Sequence, residues 1–89
     1  MRSVQDEIWW FRGAVCECFY GEVPEEKLRQ LEKEMEGRHL TPEFVVRHVD
    51  FVREKSMRLP EQTAEQFFVV AENIKRRLLR HAVLAPEFA

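Results

Sequence analysis

Glycine, cysteine and long apolar runs are all scarce in this chain. Three glycines among 89 residues leave little room for long flexible loops. No apolar run approaches the ~18 residues that a membrane-spanning helix needs. The N-terminus lacks the charged and apolar segments of a secretory signal. We therefore expect a soluble, cytoplasmic protein.

Strong net charge is also missing. Fourteen Lys and Arg residues stand against sixteen Asp and Glu, which gives a net charge of −2. The chain therefore has no global basic field that would attract nucleic acid regardless of sequence. Hydrophobic residues make up 45% and charged residues 34%, a balance typical of a globular domain rather than of a disordered chain. We expect residues 1–89 to form a single helical domain.

All four prolines are followed by glutamate, at residues 24–25, 42–43, 60–61 and 86–87. Proline is favoured at the first position of a helix, and an acidic neighbour interacts favourably with the helix dipole. The first three pairs are 18 residues apart, which is room for one helix and a short connection in each interval. The spacing predicts an all-α fold.

Hydrophobic periodicity refines this prediction to a compact bundle of four helices, over about residues 4–20, 24–36, 42–58 and 61–84. Ser3 with Asp6, and Thr41 before Pro42, are typical of helix N-termini because their side chains can bond to free backbone N–H groups. Either the first or the last helix is expected at the centre of the bundle.

The first predicted helix is apolar around most of its circumference. One stripe follows the helical repeat: Val4, Ile8, Phe11, Val15 and Cys18. Trp9 and Trp10 do not fit that stripe. They directly precede Phe11, and three consecutive residues on a helix span about 200°, which is more than one stripe covers. Gly13 costs about 1 kcal/mol relative to alanine inside a helix. It therefore indicates either a close helix crossing or a tolerated imperfection.

Aromatic side chains are enriched at the centres of protein interfaces. The sequence therefore predicts a small non-catalytic protein–protein interaction module that binds a second copy or another helical protein. The predicted interface residues belong to the first and last helices: Trp9, Trp10, Phe11, Phe19, Tyr20, Phe67 and Phe68. One alternative is that the other three helices wrap the first within one chain. A membrane-surface role is disfavoured because the polar side of this helix is acidic.

A basic cluster in the last helix supports a different hypothesis. The residues are Lys75, Arg76, Arg77 and Arg80, which could contact the phosphates of nucleic acid. Cations near a helix C-terminus also interact favourably with the dipole, so a solvated face is the simpler interpretation. A helix-turn-helix is disfavoured because its recognition helix would begin with the acids Glu61 and Glu65.

The sequence carries no pattern of an active site, and we expect no catalytic residue, metal or cofactor. Cysteines and histidines lack the close spacings of structural zinc sites. The acidic residues lie in segments of mixed charge without a phosphate-binding loop. Cys16 and Cys18 are two residues apart on a helix and cannot bridge each other. They are interpreted as buried hydrophobic residues.

Overall fold

The computed structural model describes residues 3–20, 23–56 and 64–83. These residues form four α-helices: α1 Val4–Tyr20, α2 Pro24–Met35, α3 Pro42–Ser56 and α4 Ala64–Leu79. The prediction of an all-α, four-helix bundle is confirmed. The predicted helical residues 57–58, 61–63 and 84 lie outside the described ranges.

The helix starts follow the capping residues found in the sequence. Ser3 and Asp6 form a reciprocal pair at α1, since each backbone N–H donates to the other side chain, at 3.3 and 3.1 Å. At α3, the Phe44 N–H donates to Thr41 Oγ1 at 3.2 Å. Each bond satisfies a backbone donor that the first turn of a helix leaves free.

Two helices end earlier than predicted. α2 ends at Met35, one residue short of the prediction, and α4 ends at Leu79. The three N–H groups after Leu79 bond to carbonyls three residues back, and the Val83 N–H donates to the Leu40 carbonyl at 2.8 Å. Because these bonds replace the helical i to i−4 pattern, the predicted helix through residues 80–83 is wrong.

α3 and α4 are antiparallel, because Arg53 near the end of α3 lies close to Phe68 near the start of α4, and Val83 after α4 bonds to Leu40 before α3. Glu17 near the end of α1 pairs with Lys27 near the start of α2, and Glu7 pairs with Arg38 just after α2, so α1 and α2 are antiparallel. α1 and α4 each contact the other three helices, whereas α2 and α3 do not touch within the described ranges. The centre of the bundle is therefore shared by α1 and α4.

The core is built from one face of each helix. Its buried apolar residues are Phe11, Val15, Cys18, Leu28, Leu31, Met35, Leu40, Val45, Val49, Val52, Phe67, Ala71, Ile74 and Leu78. The stripe predicted for α1 is buried from Phe11 onward, but Val4 is 74% exposed. Phe11 packs edge-on against Phe44 at 5.2 Å, close to where α3 begins. The first turn of α1 thus extends beyond α3 and is left uncovered.

A buried histidine joins α1 to α3. The Arg12 Nε donates to His48 Nδ1 at 3.1 Å, and the Arg12 guanidinium lies 3.5 Å from the centroid of the Phe51 ring. An acceptor at Nδ1 requires a neutral imidazole. Burial, with the positive charges of Arg12 and Arg47, lowers the pKa of His48 below its ordinary value of 6.5.

This arrangement predicts acid sensitivity. The folded-state pKa of His48 lies below the unfolded value. Its contribution to stability is therefore complete above about pH 6.5 and is lost as the pH falls from there toward the lower folded-state pKa. His48→Gln keeps an acceptor but cannot titrate. In urea unfolding at several pH values, the parent should lose stability relative to His48→Gln on acidification. A pH-independent difference between the two proteins would contradict this interpretation.

The cap of α3 gives a second prediction. Thr41→Ala removes the oxygen that accepts the Phe44 N–H bond and should lower the free energy of unfolding by about 1 kcal/mol. Thr41→Ser retains a hydroxyl and serves as the matched control. Chemical denaturation measures both variants, and equal losses would show that the hydroxyl does not stabilise the helix.

Candidate interaction surfaces

The two tryptophans of α1 have different environments. Trp9 is 71% exposed. Trp10 is half-buried, with its ring centroid 3.8 Å from the Arg38 guanidinium and 6.1 Å from the Phe11 ring. Arg38 in turn donates to Glu7 at 2.7 Å. Trp10 therefore fixes the connection after α2 onto α1, whereas Trp9 has most of its area free for another molecule.

Trp9, Gly13 and Cys16 follow one another at helical spacing on the outer side of α1, and we call these three residues the α1 surface. All three are exposed. Trp9 and Gly13 also border a groove of about 400 Å³ between α1 and α2. The expectation that both cysteines are buried is wrong for Cys16. Only Cys18 is buried, which raises the pKa of its thiol to about 11.

Gly13 has open space around it. A Cβ atom at this position would meet no neighbouring atom within 4 Å. No other part of the described chain therefore crosses α1 closely at this point, and intrachain packing does not explain the glycine. A small residue beside an exposed tryptophan would allow the backbone of a partner helix to approach closely.

The outer side of α4 is the second exposed apolar region. Phe68 is 51% and Val69 62% exposed, and Arg53 lies 5.9 Å from the Phe68 ring centroid. Both residues line a groove of about 550 Å³ with Glu72, Asn73 and Arg76. We call the outward-facing row the α4 surface. It comprises Glu65, Phe68, Val69, Glu72, Arg76, Leu79 and Arg80.

The predicted interface residues do not form one surface. Phe11 and Phe67 are fully buried within the chain, so neither offers area to a partner in this structure. Phe19 is half-buried and its ring lies 5.9 Å from that of Phe67. The side chain of Tyr20 lies outside the described part of the structure. Since α1 and α4 turn their core faces toward each other, the α1 and α4 surfaces lie on opposite sides of the bundle.

Two members of the basic cluster are engaged in ion pairs within the chain. Lys75 binds both Asp50 of α3 and Glu72, and its side chain is only 16% exposed. Burial alone would lower the pKa of Lys75, but the bonds to Glu72 and Asp50 outweigh it and raise the pKa. Lys75 therefore stays protonated, and its positive charge is balanced by the carboxylates of Asp50 and Glu72.

Arg77 is engaged in the same way with α2. It binds Glu25 and Glu32, and Glu32 is also 3.1 Å from the ring nitrogen of His81. Burial would raise the pKa of Glu32, but the bonds to His81 and Arg77 lower it overall. Arg76 and Arg80 are exposed, and neither forms an ion pair with a carboxylate of residues 3–20, 23–56 or 64–83.

Val69 and Leu79 were missed as surface candidates by sequence reasoning. For Val69, the available signal was the run of five apolar residues over 67–71; Leu79 lies outside that run. A helix that buries one stripe cannot cover five consecutive residues, so part of such a run must face outward. No sequence pattern near Lys75 and Arg77 indicated that they would form ion pairs with acids of α3 and α2.

Other site types find no support in the described ranges. Within residues 3–20, 23–56 and 64–83, no group of three or more His, Cys, Asp and Glu residues could hold a metal ion. No helix in those ranges is both long and apolar enough to span a bilayer. Comparisons with protein families, curated proteins and solved structures find no match.

The open space at Gly13 predicts a stabilising substitution. Gly13→Ala should raise the free energy of unfolding by roughly 0.5 to 1 kcal/mol, because alanine has the higher helix propensity and its Cβ meets no neighbour. Thermal and urea unfolding of a dilute sample measure the change. A loss of stability would show that the groove beside Gly13 is filled within the chain.

Proposed function

We propose that this protein is a small non-catalytic helical interaction module, and that a partner helix docks on the α1 surface. The observation that carries this proposal is the 71% exposure of Trp9 next to the open space at Gly13. Tryptophan is the side chain most strongly enriched among residues that dominate binding energy. A single-chain fold gains nothing from leaving such a residue in water.

The charges of α1 favour one kind of partner helix. α1 contains three acids, Asp6, Glu7 and Glu17, and its one basic residue, Arg12, is directed at His48 of α3. Glu7 is already paired with Arg38, and Lys27 lies 3.6 Å from Glu17. A helix with Lys or Arg beside an apolar stripe would complement the exposed carboxylates of Asp6 and Glu17. Two copies of α1 placed face to face would bring acids together in either orientation: each acid would face its own counterpart in a parallel pair, and Asp6 would face Glu17 in an antiparallel pair. We therefore favour another helical protein as the occupant of α1.

Point variants on α1 test this proposal. Trp9→Glu and Gly13→Leu should each weaken partner binding about tenfold or more, the first by removing the anchor and the second by blocking close approach. Val4→Glu is the matched control, since Val4 is equally exposed on the same helix but lies outside the α1 surface. All three changes are at exposed positions, so circular dichroism should show an unchanged fold.

The measurement has two arms. Proteins retained by the immobilised parent are compared quantitatively with those retained by each variant, and a partner lost with both variants is then purified and titrated by calorimetry. Sedimentation equilibrium of the same variants tests whether a second copy is the occupant. The proposal is wrong if neither arm distinguishes Trp9→Glu and Gly13→Leu from the Val4→Glu control.

A further inference from the structure

The α4 surface has a charge order that the α1 surface lacks. Its acids, Glu65 and Glu72, come first along the helix, and its cations, Arg76 and Arg80, come last. Exposed apolar side chains accompany them: Phe68, Val69 and Leu79. An acidic first half and a basic second half make the row complementary to itself when it is reversed.

The cations of this row, Arg76 and Arg80, are exposed. The Arg76 guanidinium donates to the Asn73 side chain at 2.7 Å, and no carboxylate in the described part of the chain pairs with Arg76 or Arg80. Glu65 likewise has no ion pair among these residues. Glu72 binds Lys75 but remains 48% exposed. The partly buried cations of α4, Lys75 and Arg77, thus pair with acids of the bundle, while Arg76 and Arg80 are exposed.

We infer that the α4 surface pairs with the α4 surface of a second copy, with the two helices antiparallel. In this arrangement Glu65 faces Arg80 of the second copy, Glu72 faces its Arg76, and Val69 faces its Leu79. One alignment of the two helices allows both ion pairs. The midpoint between residues 65 and 80 and the midpoint between residues 72 and 76 both lie within about half a turn of Asn73. A two-fold axis repeats every contact.

A parallel arrangement of the two copies is opposed by the same charges. It would place Glu65 against Glu65, Glu72 against Glu72, and each arginine against itself. The apolar contact would be similar in both orientations, so the charges select the antiparallel one. This inference goes beyond the partner proposed for α1, because α4 faces the opposite side of the bundle.

The expected dimer is weak. A single pair of 16-residue helices buries less than the roughly 800 Å² per partner of a standard interface. Association should therefore depend on concentration, and it is measured by sedimentation equilibrium from micromolar to millimolar protein. Val69→Glu removes the central apolar contact and should leave the protein monomeric throughout this range.

Charge exchange tests the orientation. Glu65→Arg and Arg80→Glu should each raise the dimer dissociation constant on the order of tenfold, because each variant opposes like charges at two symmetric places. An equimolar mixture of the two variants should associate again, since the arginine introduced at position 65 of one chain then faces the glutamate introduced at position 80 of the other. The double variant E65R/R80E should also associate as the parent does.

The results separate this inference from the function proposed for α1. It is overturned if the parent stays monomeric at millimolar concentration, if either single variant dimerises like the parent, or if the mixture stays dissociated. A dimer that is abolished by Trp9→Glu and insensitive to charge exchange also overturns it, and shows that a second copy occupies α1 instead. Should Glu65→Arg fail to fold, Arg76→Glu mixed with Glu72→Arg repeats the test.

Discussion

The structure depends on α1 and α4 each burying one face in the core that all four helices share. Each of these helices contacts all three others, and each buries a single stripe, around Phe11 and Val15 in α1 and around Phe67 and Ile74 in α4. A helix has only one face to give to a shared core. Apolar residues outside that face must meet water or another molecule, which is the situation of Trp9 and Val69.

Charged side chains close the edges of the same core. Arg12 reaches His48 between α1 and α3, Lys75 reaches Asp50 between α3 and α4, and Arg77 reaches Glu32 between α2 and α4. Ion pairs that are partly shielded from solvent constrain helix position more than exposed pairs do. Because these cations are engaged inside the chain, the outward charge pattern of α4 comes from Arg76 and Arg80, with Glu65 and Glu72.

Local chemistry made the helices predictable. The caps at Ser3 and Thr41 and the prolines at residues 24 and 42 mark three helix starts, and periodicity identified the buried stripe from Phe11 to Cys18. The predictions that failed concern features that depend on residues distant in sequence. α4 ends at Leu79, and four residues later Val83 bonds to the distant Leu40. Trp9 and Trp10 both lie off the predicted stripe, but only Trp9 is exposed, because Arg38 and Phe11 pack on Trp10. Periodicity shows that a surplus of apolar residues exists, but tertiary packing decides which of them is left outside.

The central claim is that the indole of Trp9 is in water in the free chain. Fluorescence of a Trp10→Phe variant tests it most directly, because Trp9 is then the only tryptophan. At low protein concentration we predict the long-wavelength emission of a hydrated indole and ready quenching by acrylamide, with both effects reduced when a partner binds. Short-wavelength emission and protection from acrylamide in a dilute monomer would mean that the chain covers Trp9 itself, and would contradict the account.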